Sequence, residues 1–600
     1  MARISTDTSF VLLDDARVIG AAPARLYRDP VRVIAAHTQG EVRKALRELR
    51  GTDLHAAGFL TYEAGFALES KFVAPTQAGA AGLPRLKPGP GLHRGDETLP
   101  LLWFGLFDGF KEIAPGDVQN WLPDPAGAWA GAPRPSASRA DYDTVFSRVK
   151  NLIAAGDIYQ ANLTLRANVA TLGHPLALYA GLRKRACAGY GGVVWTGADW
   201  LLSLSPELFF ALHDGKITTK PMKGTLARVA GRDAEDVDTL RSDPKQRAEN
   251  LMIVDLLRND LSRVAEAGSV DVPSLFHVET YPTIHGMTST VTAQLREELD
   301  AVDIVEAIFP CGSITGAPKI RAMEIIGEVE DTPRGAYTGS IGRIDPSGDA
   351  AFNVAIRTLH LRSGEAHGIL GLGGGIVADS KAGEEWRECV AKGAFVASGT
   401  DFDLIETMRF DPAGGIHLLD RHIERIGTSA RTFGFPFDRH AVRNELQAST
   451  FRIASPRRVR LMLSPSGRTA IEIGALHPTS AEAVVVALAP LPVAPDDFRL
   501  AHKTSNRGFY NAARQQAGTF EVALYDVEGF ITEGSFSNIF VKGDGALLTP
   551  PLSRGLLPGV LRAELIANGS AVEAELRAED LAEGFFIGNA SRGLVAAVLR

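Results

Sequence analysis

Cysteine is scarce in this chain: Cys187, Cys311 and Cys389 are the three among 600 residues. They are too few and too scattered for a disulfide framework or a cysteine-based metal site. Long apolar runs are missing as well, and nothing approaches the roughly 18–20 residues that a membrane span needs. The N-terminal M-A-R-I-S-T-D-T lacks the apolar block of a signal peptide. These absences predict a soluble, cytoplasmic chain with no membrane partner. A net charge of −8 and a pI near 6.0, without a concentrated basic stripe, give no reason to invoke nucleic acid. No internal repeat is visible, which disfavours a solenoid or a propeller.

What is present is an ordinary globular composition, 45% hydrophobic and 22% charged. The length far exceeds one core, so two to four domains are expected. Residues 1–75 read as folded, with F-V-L-L-D-D-A and Ala56–Ala67 as strands around a helical E-V-R-K-A-L-R-E-L-R. Gly, Pro and Ala crowd residues 74–98, a surface loop, and Pro123–Ser138, a linker or long connection. Asp141–Ala155 is amphipathic at helical spacing and closes at Gly156. Strands and helices then alternate to about residue 398, where V-A-S-G-T-D-F-D marks a boundary. The expected division is a domain over 1–398, with an N-terminal region of residues 1–139 and a core 140–398, and a second over 399–600.

Within the core, Lys223 lies in K-P-M-K-G-T (Lys220–Thr225), after Trp200–Leu212 and Lys216–Thr219, which read as strands. A lysine at a strand end is usually a solvated charge with its stem on apolar surface. Its surroundings argue for more. G-D-I-Y-Q-A-N-L (Gly156–Leu163) comes first, and S-L-S-P-E-L-F (Ser203–Phe209) leads into the lysine. R-A-E-N-L-M-I-V-D-L-L-R-N-D-L-S-R (Arg247–Arg263) and F-P-C-G-S-I-T-G-A-P-K-I-R-A-M-E (Phe309–Glu324) follow. Last, L-G-G-G-I-V-A-D-S (Leu372–Ser380) runs into the acidic helix E-E-W-R-E-C-V-A-K. Glycine turns often serve only close packing, and acidic helix faces are usually solvated. Alternatively, C-G-S-I-T-G and G-G-G-I-V offer clustered backbone N–H groups to carboxylates. No G-K-[ST] follows either turn, so nucleotide binding is unsupported. Glu249, Glu385 and Glu388 could hold a hard cation, since magnesium favours one or two carboxylates with water and substrate oxygens completing its shell.

In this order the stretches resemble the chorismate-utilising enzymes, and among them component I of aminodeoxychorismate synthase, over roughly residues 140–395. The resemblance implies a Mg²⁺-dependent α+β fold of large packed β-sheets with outer helices. It also implies that Lys223 decides the product, because anthranilate-type enzymes usually carry a small residue there. Lys223 would add to the chorismate ring as the 4-hydroxyl leaves, Glu207 would protonate that hydroxyl, and ammonia would enter C4 and displace the lysine. An ordinary lysine, with pKa about 10.4, is less than roughly 0.1% neutral at pH 7, so such a nucleophile needs a lowered pKa. Glu207 needs a raised one to donate near pH 7. Glu249 and Glu388 match Mg²⁺ ligands, with Glu385 close by. Tyr337, Arg357, Lys392 and the turn Gly373–Gly375 match the holders of the two carboxylates of chorismate. Thr315 lies in the matching S-I-T-G-A-P-K turn. Where family members often have H-x-V-S this chain has T-I-H-G-M-T-S-T, so Gly286 stands at the expected place. His285, one residue earlier, is carried as a catalytic candidate beside a purely structural reading. No G-x-C-x-G segment of a glutamine amidotransferase occurs, so a separate glutaminase subunit is expected to supply ammonia.

Residues 400–600 carry H-L-L-D-R-H-I-E-R-I, H-K-T-S-N-R-G-F-Y-N, G-F-I-T-E-G-S-F-S-N-I-F, L-T-P-P-L-S-R-G-L-L-P-G-V-L-R and F-F-I-G-N-A. Singly these are strands and turns of an α/β domain, with Lys503 a surface charge. Their order resembles the fold-type IV, or class IV aminotransferase-like, pyridoxal-phosphate enzymes, which include aminodeoxychorismate lyase. The resemblance implies that Lys503 forms the Schiff base with the cofactor and moves protons. It places Glu533 against the pyridine nitrogen, strengthening the ring as an electron sink. Arg425, the backbone N–H groups of Val560 and Leu561, and Asn589 or its neighbour Ala590 would bind the phosphate. Such enzymes normally begin with a β-hairpin, yet F-D-L-I-E-T-M-R (Phe402–Arg409) starts almost at the boundary. Either the preceding domain substitutes for the hairpin or the small subdomain is trimmed. A homodimer is expected.

The second domain alone does not separate transaminase from lyase. Next to a synthase of 4-amino-4-deoxychorismate, a lyase that removes pyruvate makes 4-aminobenzoate for folate biosynthesis. The alternative is an anthranilate- or salicylate-type synthase fused to a branched-chain or D-amino acid aminotransferase. A third reading is a catalytically dead scaffold for an amidotransferase, against which stand Lys223, Glu207, Glu249, Glu388, Lys503 and Glu533.

Overall fold

The runs Y-G-G-V-V-W and D-W-L-L-S-L-S meet across a turn at Gly197, whose φ of +100° suits a residue without Cβ. They form a hairpin, Tyr190–Trp195 against Asp199–Ser205, in which Val193, Val194, Leu201 and Leu202 are all buried. Such strands, apolar toward both faces, belong in the middle of a layered structure. The computed structural model describes residues 4–73, 99–229, 231–281, 284–476 and 482–600. The loop expected at 74–98 lies outside the described residues.

The hairpin is central to an antiparallel sheet. On one side come Thr358–Arg362, His367–Ile376, Gln160–Leu172 and the short Gly316–Ala317; on the other, Phe10–Asp14, Ala24–Arg28 and Lys111–Ile113. A second antiparallel sheet runs Met222–Ala227, Ile284–Gln294, Lys216–Lys220, Leu208–His213, Ala350–Asn353, Ser340–Ile344, His55–Leu60, Leu102–Phe107, Arg32–Ala36. Val11, Tyr27, Val194 and Leu201 of the first sheet pack on Phe59, Trp103, Phe107 and Ile341 of the second, so the sheets share a core. The outer face of the second sheet is covered by the helices Gln39–Leu49, Pro244–Ser262, Ala301–Ile308 and Lys319–Val329. Each buried Leu, Ile or Phe contributes roughly 1.5–3 kcal/mol. Pro244–Ser262 starts where Asp243 accepts from the N–H groups of Lys245 and Gln246 at 2.8 and 3.0 Å, with proline in the first turn.

Several expectations are corrected. Trp200–Leu212 is not one strand: Pro206 has no N–H for a ladder, and the chain leaves the first sheet at Ser205 and enters the second at Leu208. Ala56–Ala67 is a strand to Leu60 followed by the helix Ala64–Leu68. Pro123–Ser138 is no linker, because Trp129 is buried with its ring 5.0 Å from that of Phe433. Gly373–Gly375 is strand rather than turn, opposite Thr164, Leu163 and Asn162.

By its internal contacts the chain divides into two units, residues 1–125, 132–171 and 175–397, and residues 126–131, 172–174 and 398–600. In the second, Leu404–Asp411 lies between Gly415–Ile416 and Arg457–Leu463, with Thr469–Ala475 beyond. A mixed sheet follows, Ile531–Gly534, Glu521–Tyr525, Val484–Pro490, Gly593–Leu599, Phe585–Asn589, Asn538–Lys542, Leu547–Thr549 and Ala571–Glu573, with parallel pairs around Val484–Pro490. Among the described residues no helix is long and apolar enough to cross a membrane.

Candidate active sites

Glu207 occupies the crossover between the two sheets, 4% exposed. Its Oε1 accepts the Ser313 hydroxyl at 2.8 Å. Burial pushes its carboxyl up to about 7, against the opposing pull of Ser313 and then Lys223. Lys223 comes from the strand Met222–Ala227, and its Nζ lies 3.6 Å from Glu249 Oε2. Asn250, next on the same helix, donates to the Lys223 carbonyl at 3.3 Å and accepts the Ser289 hydroxyl at 2.6 Å. The helix therefore grips the lysine at both its amine and its backbone.

A Cβ on Gly375 would stand 3.0 Å from Lys223 Nζ and 3.1 Å from Gln160 Nε2, and one on Gly374 would stand 3.3 Å from Glu385 Oε2. The glycines of this strand thus make room for the side chains that fill the site, rather than wrapping a ligand as a turn. Gln160, 1% exposed, brings both polar atoms of its amide here without a hydrogen-bond partner among the described residues.

Glu385 and Glu388 lie on the helix Ala382–Gly393. Ser380 donates to Glu385 at 2.7 Å, yet burial and, secondarily, Glu388 raise its carboxyl. Lys392 ion-pairs with Glu388 at 2.8 Å and donates to the Gly373 carbonyl at 3.1 Å. Burial opposes ionisation of Glu388, but Lys392, Lys223 and Lys245 outweigh it and lower the carboxyl. Glu249, Glu385 and Glu388 do not form a closed cage: among the described residues only His213, Asp214 and Asp349 bring ligand atoms within 4.8 Å of one another, at two neighbouring turns. The three glutamates do supply the oxygen donors magnesium prefers, and the raised carboxyl of Glu385 beside Glu388 is relieved by a cation.

Tyr337 packs face-on to the glycine strand, where a Cβ on Gly371 would sit 2.0 Å from its Cγ, and burial raises its phenol. Arg357 sits at φ +50° with its guanidinium lowered by burial. The Thr315 hydroxyl donates to the Cys311 carbonyl at 2.9 Å, so it shapes the turn. His285 is fully buried, its Nδ1 3.0 Å from Thr280 Oγ1 and its Nε2 3.5 Å from Asp233 Oδ1. It pairs across the sheet with Leu226 rather than Lys223, in a structural setting.

In the second unit Lys503 is pinned by its backbone: its carbonyl accepts Ile405 N–H at 2.9 Å, and Ser505 N–H donates to Asp403 at 2.8 Å. Burial first, then Arg425, lower its amine to about 7. The neighbouring Thr504 hydroxyl is buried without a partner among the described residues. Glu533 is buried and pushed up to about 7, its Oε1 accepting the Tyr510 hydroxyl and its Oε2 the Leu557 N–H at 3.2 Å. Arg425 donates to both oxygens of Glu406, at 2.8 and 2.5 Å, and to the Pro558 carbonyl at 3.0 Å. Val560 and Leu561 open the helix Val560–Ala567 behind Gly559, so their N–H groups lack intrahelical partners. The Asn589 Oδ1 accepts Ser591 and Arg592 N–H at 3.0 and 2.9 Å and its amide donates to the Phe536 carbonyl at 3.0 Å. The side chain is consumed by the turn. A neutralisable lysine, a protonatable buried acid, an orphaned hydroxyl and free helix N–H groups fit pyridoxal phosphate.

Ser313, Asn250, Gln160, Tyr510 and Glu406 carry no role that the sequence alone assigns, although the first four lie within the motifs and Glu406 stands in F-D-L-I-E-T-M-R. Their pairing is what the motifs conceal.

The sequence profile of the chorismate binding enzymes matches residues 16–398, and that of amino-transferase class IV matches residues 403–598. Aminodeoxychorismate synthase component 1 of Klebsiella aerogenes is 45% identical over 261 residues, 43% of this chain and 57% of that protein. Anthranilate synthase component 1 of Pseudomonas aeruginosa is 40% identical over 261 residues, 43% of this chain and 53% of that one. The chain therefore spans about half the length of the curated relatives it matches. The structure of anthranilate synthase component I from Streptococcus pneumoniae shares the fold, with TM-score 0.51 at 24% identity over 66% of this chain and 94% of that one. The chain belongs to the chorismate binding enzymes and carries a class IV amino-transferase domain after that region.

Proposed function

We propose that the first unit aminates chorismate to 4-amino-4-deoxychorismate and the second removes pyruvate from it, yielding 4-aminobenzoate for folate biosynthesis. The observation that carries this reading is a buried acid with pKa about 7, Glu207, within electrostatic reach of Lys223. Glu207 gives its proton to the departing 4-hydroxyl, which leaves as water. Lys223 forms a C–N bond to the ring as that C–O bond breaks, and ammonia then forms the C4–N bond as the lysine leaves. Tyr337, Arg357 and Lys392 hold the carboxylates of the substrate. Magnesium bound by Glu249, Glu388 and Glu385 would neutralise carboxylate charge on the substrate. A separate glutamine amidotransferase subunit provides the ammonia.

Pyridoxal phosphate, held by Lys503, Glu533, Arg425 and the N–H groups of Val560 and Leu561, would supply an electron sink. Lys503, with an amine near neutrality at pH 7, takes the proton from C4. Glu533, backed by Tyr510, presents a carboxyl that can hold or release a proton at the same pH. Aromatisation of the ring drives the elimination.

The test supplies chorismate, Mg²⁺ and ammonium to the pure, cofactor-loaded protein and identifies the products. 4-Aminobenzoate with pyruvate is expected. Anthranilate would overturn the role of Lys223, and aminodeoxychorismate that persists would favour an aminotransferase in the second unit.

A further inference from the structure

The strand Met222–Ala227 does not pair regularly with Ile284–Gln294. Met222 stands opposite Thr288 and Thr225 opposite Gly286, so Lys223 and Gly224 together face Met287. This is a β-bulge, one extra residue that bends its strand and interrupts the ladder. Gly224 takes φ +96°, where a side chain would be strained. In a regular strand, residues three apart point to opposite faces. Here Lys223 reaches Glu249 on the helix Pro244–Ser262, while Leu226, opposite His285, packs on Met287. Ser289, on the Met287 face, bonds Asn250 of that same helix. The extra residue is therefore what lets Lys223 and Leu226 share one face.

Another bulge lies across the same central strand. In Asp271–Thr280, Ser274 is opposite Thr290 and His277 opposite Thr288, so Leu275 and Phe276 together face Ser289. Phe276 has φ +56°, costly for an aromatic residue, and such strain persists only where the surroundings impose it. The helix Pro244–Ser262 supplies those surroundings. Arg247 stacks 4.7 Å over the Phe276 ring, and a Cβ on Gly224 would stand 2.9 Å from Gln246 Oε1. Asn250 and Ser289, both fully buried, sit where these bulges meet. Asn250 donates its amide hydrogens to the carbonyls of Lys223 and Met287 at 3.3 and 3.4 Å, and its Oδ1 accepts the Ser289 hydroxyl at 2.6 Å. Ser289 Oγ in turn accepts the Phe276 N–H at 3.1 Å.

We propose that Asn250 and Ser289 are positioning residues for the amination: they clamp the bulge that presents Lys223 to the substrate ring, without touching the substrate themselves. The assignment rests on the reading of Lys223 given above and adds the means by which its amine is aimed.

The full-length protein is assayed for amination of chorismate with saturating Mg²⁺ and a fixed concentration of free ammonia. Misplacing an attacking group by about 1 Å costs up to about 10²-fold, so Asn250→Ala should lower kcat about 10–100-fold, with KM for chorismate within about threefold. Ser289→Ala should lower kcat by about two- to tenfold, the worth of one hydrogen bond. Ser289→Thr, which keeps the hydroxyl, should restore it.

A second readout needs no turnover. The same proteins, without chorismate, are briefly treated with acetic anhydride. Peptide mass spectrometry then compares acetylation of Lys223 with that of Lys220, whose amine is also paired with a glutamate, Glu279. An ion pair favours the charged, unreactive ammonium, so release of Lys223 from Glu249 should raise its labelling at least about threefold in the alanine variants. Unchanged kcat or unchanged Lys223 labelling in those variants overturns the proposal, as does a KM that rises in step with the loss of kcat. Should Asn250→Ala not fold, the two Ser289 variants decide alone. If the unaltered protein makes no 4-amino-4-deoxychorismate while Lys223 labelling responds, the reading of the reaction falls and the clamp stands. If amination proceeds equally in all the proteins, the clamp falls and the reading stands.

Discussion

Each unit centres on one lysine, and the two lysines have opposite surroundings. Lys223 faces acids: Glu249 at 3.6 Å, with Glu207 and Glu385 in electrostatic reach. Lys503 faces cations, Arg425, Arg507 and Arg460, with Glu406 the opposing charge. Burial and those cations bring Lys503 to about 7, which suits the proton transfer proposed for it at physiological pH. In the first unit the residue tuned to about 7 is an acid, Glu207. The roles proposed for the two side chains follow this contrast: a base in one site and, beside an acid, a nucleophile in the other.

The sharpest break of this comparison is removal of each amine. Lys223→Ala should abolish amination of chorismate with ammonia, and Lys503→Ala should abolish 4-aminobenzoate release from supplied aminodeoxychorismate. Each loss should be at least about 10²–10⁴-fold, the usual worth of a positioned proton-transfer group or more, with the other unit's assay unaffected. A variant that loses both activities would dissolve the contrast.

Next in size is the pair of carboxylates beside the lysines. Glu406 is 1% exposed and holds Arg425 and His422 together, the latter at 2.6 Å. Burial works against its ionised form, but Arg425 and His422 prevail and hold the carboxyl well below the ordinary range. Glu406→Ala strands a buried guanidinium and should cost about 3–5 kcal/mol in urea unfolding. Glu249, whose side chain is 22% exposed, pairs with Lys223 in wetter surroundings. Glu249→Ala should cost only about 0–1 kcal/mol. Equal costs would mean the two sites differ less in solvation than their geometry indicates.

A pH profile follows. Glu207 donates only while protonated, below its pKa of about 7. With cofactors saturating and free ammonia held constant across the series, amination should therefore fall as pH rises through 7, by up to tenfold per pH unit, and Glu207→Gln should be slow without that descending limb. A limb that persists in the variant assigns the proton elsewhere.

The motifs made the placement of Lys223, Glu207, Lys503 and Glu533 legible, because each lies in a run whose residue types and order are specific. Their neighbours were legible only as letters. Ser313 stands in C-G-S-I-T-G, yet its bond to Glu207 depends on where the chain crosses between sheets at Pro206. Local propensity also misled. Three successive glycines read as a turn, but Gly373–Gly375 pair with Thr164–Asn162 because adjoining side chains fill the space a Cβ would need. Trp129 sits in a Gly- and Pro-rich stretch that reads as a linker, and only its partner Phe433, far along the chain, makes it core.

The finest test concerns the hydrogen bond between the Tyr510 hydroxyl and Glu533. The hydroxyl donates, so it favours the ionised carboxylate and opposes the burial that raises Glu533 to about 7. In Tyr510→Phe the ring stays in place over Arg507 and the donor goes, so the Glu533 carboxyl should move further up. The lost bond is worth about 0.5–1.5 kcal/mol, which sets the expected loss of pyridoxal-phosphate affinity at several-fold near pH 7. The sign gives the discriminating feature: affinity should recover as pH rises and Glu533 ionises without help. Equilibrium dialysis of cofactor across pH 6–9, on the variant and the unaltered protein, reads it directly. A deficit of constant size at every pH would make Tyr510 a packing residue, and the proton on Glu533 irrelevant to holding the cofactor.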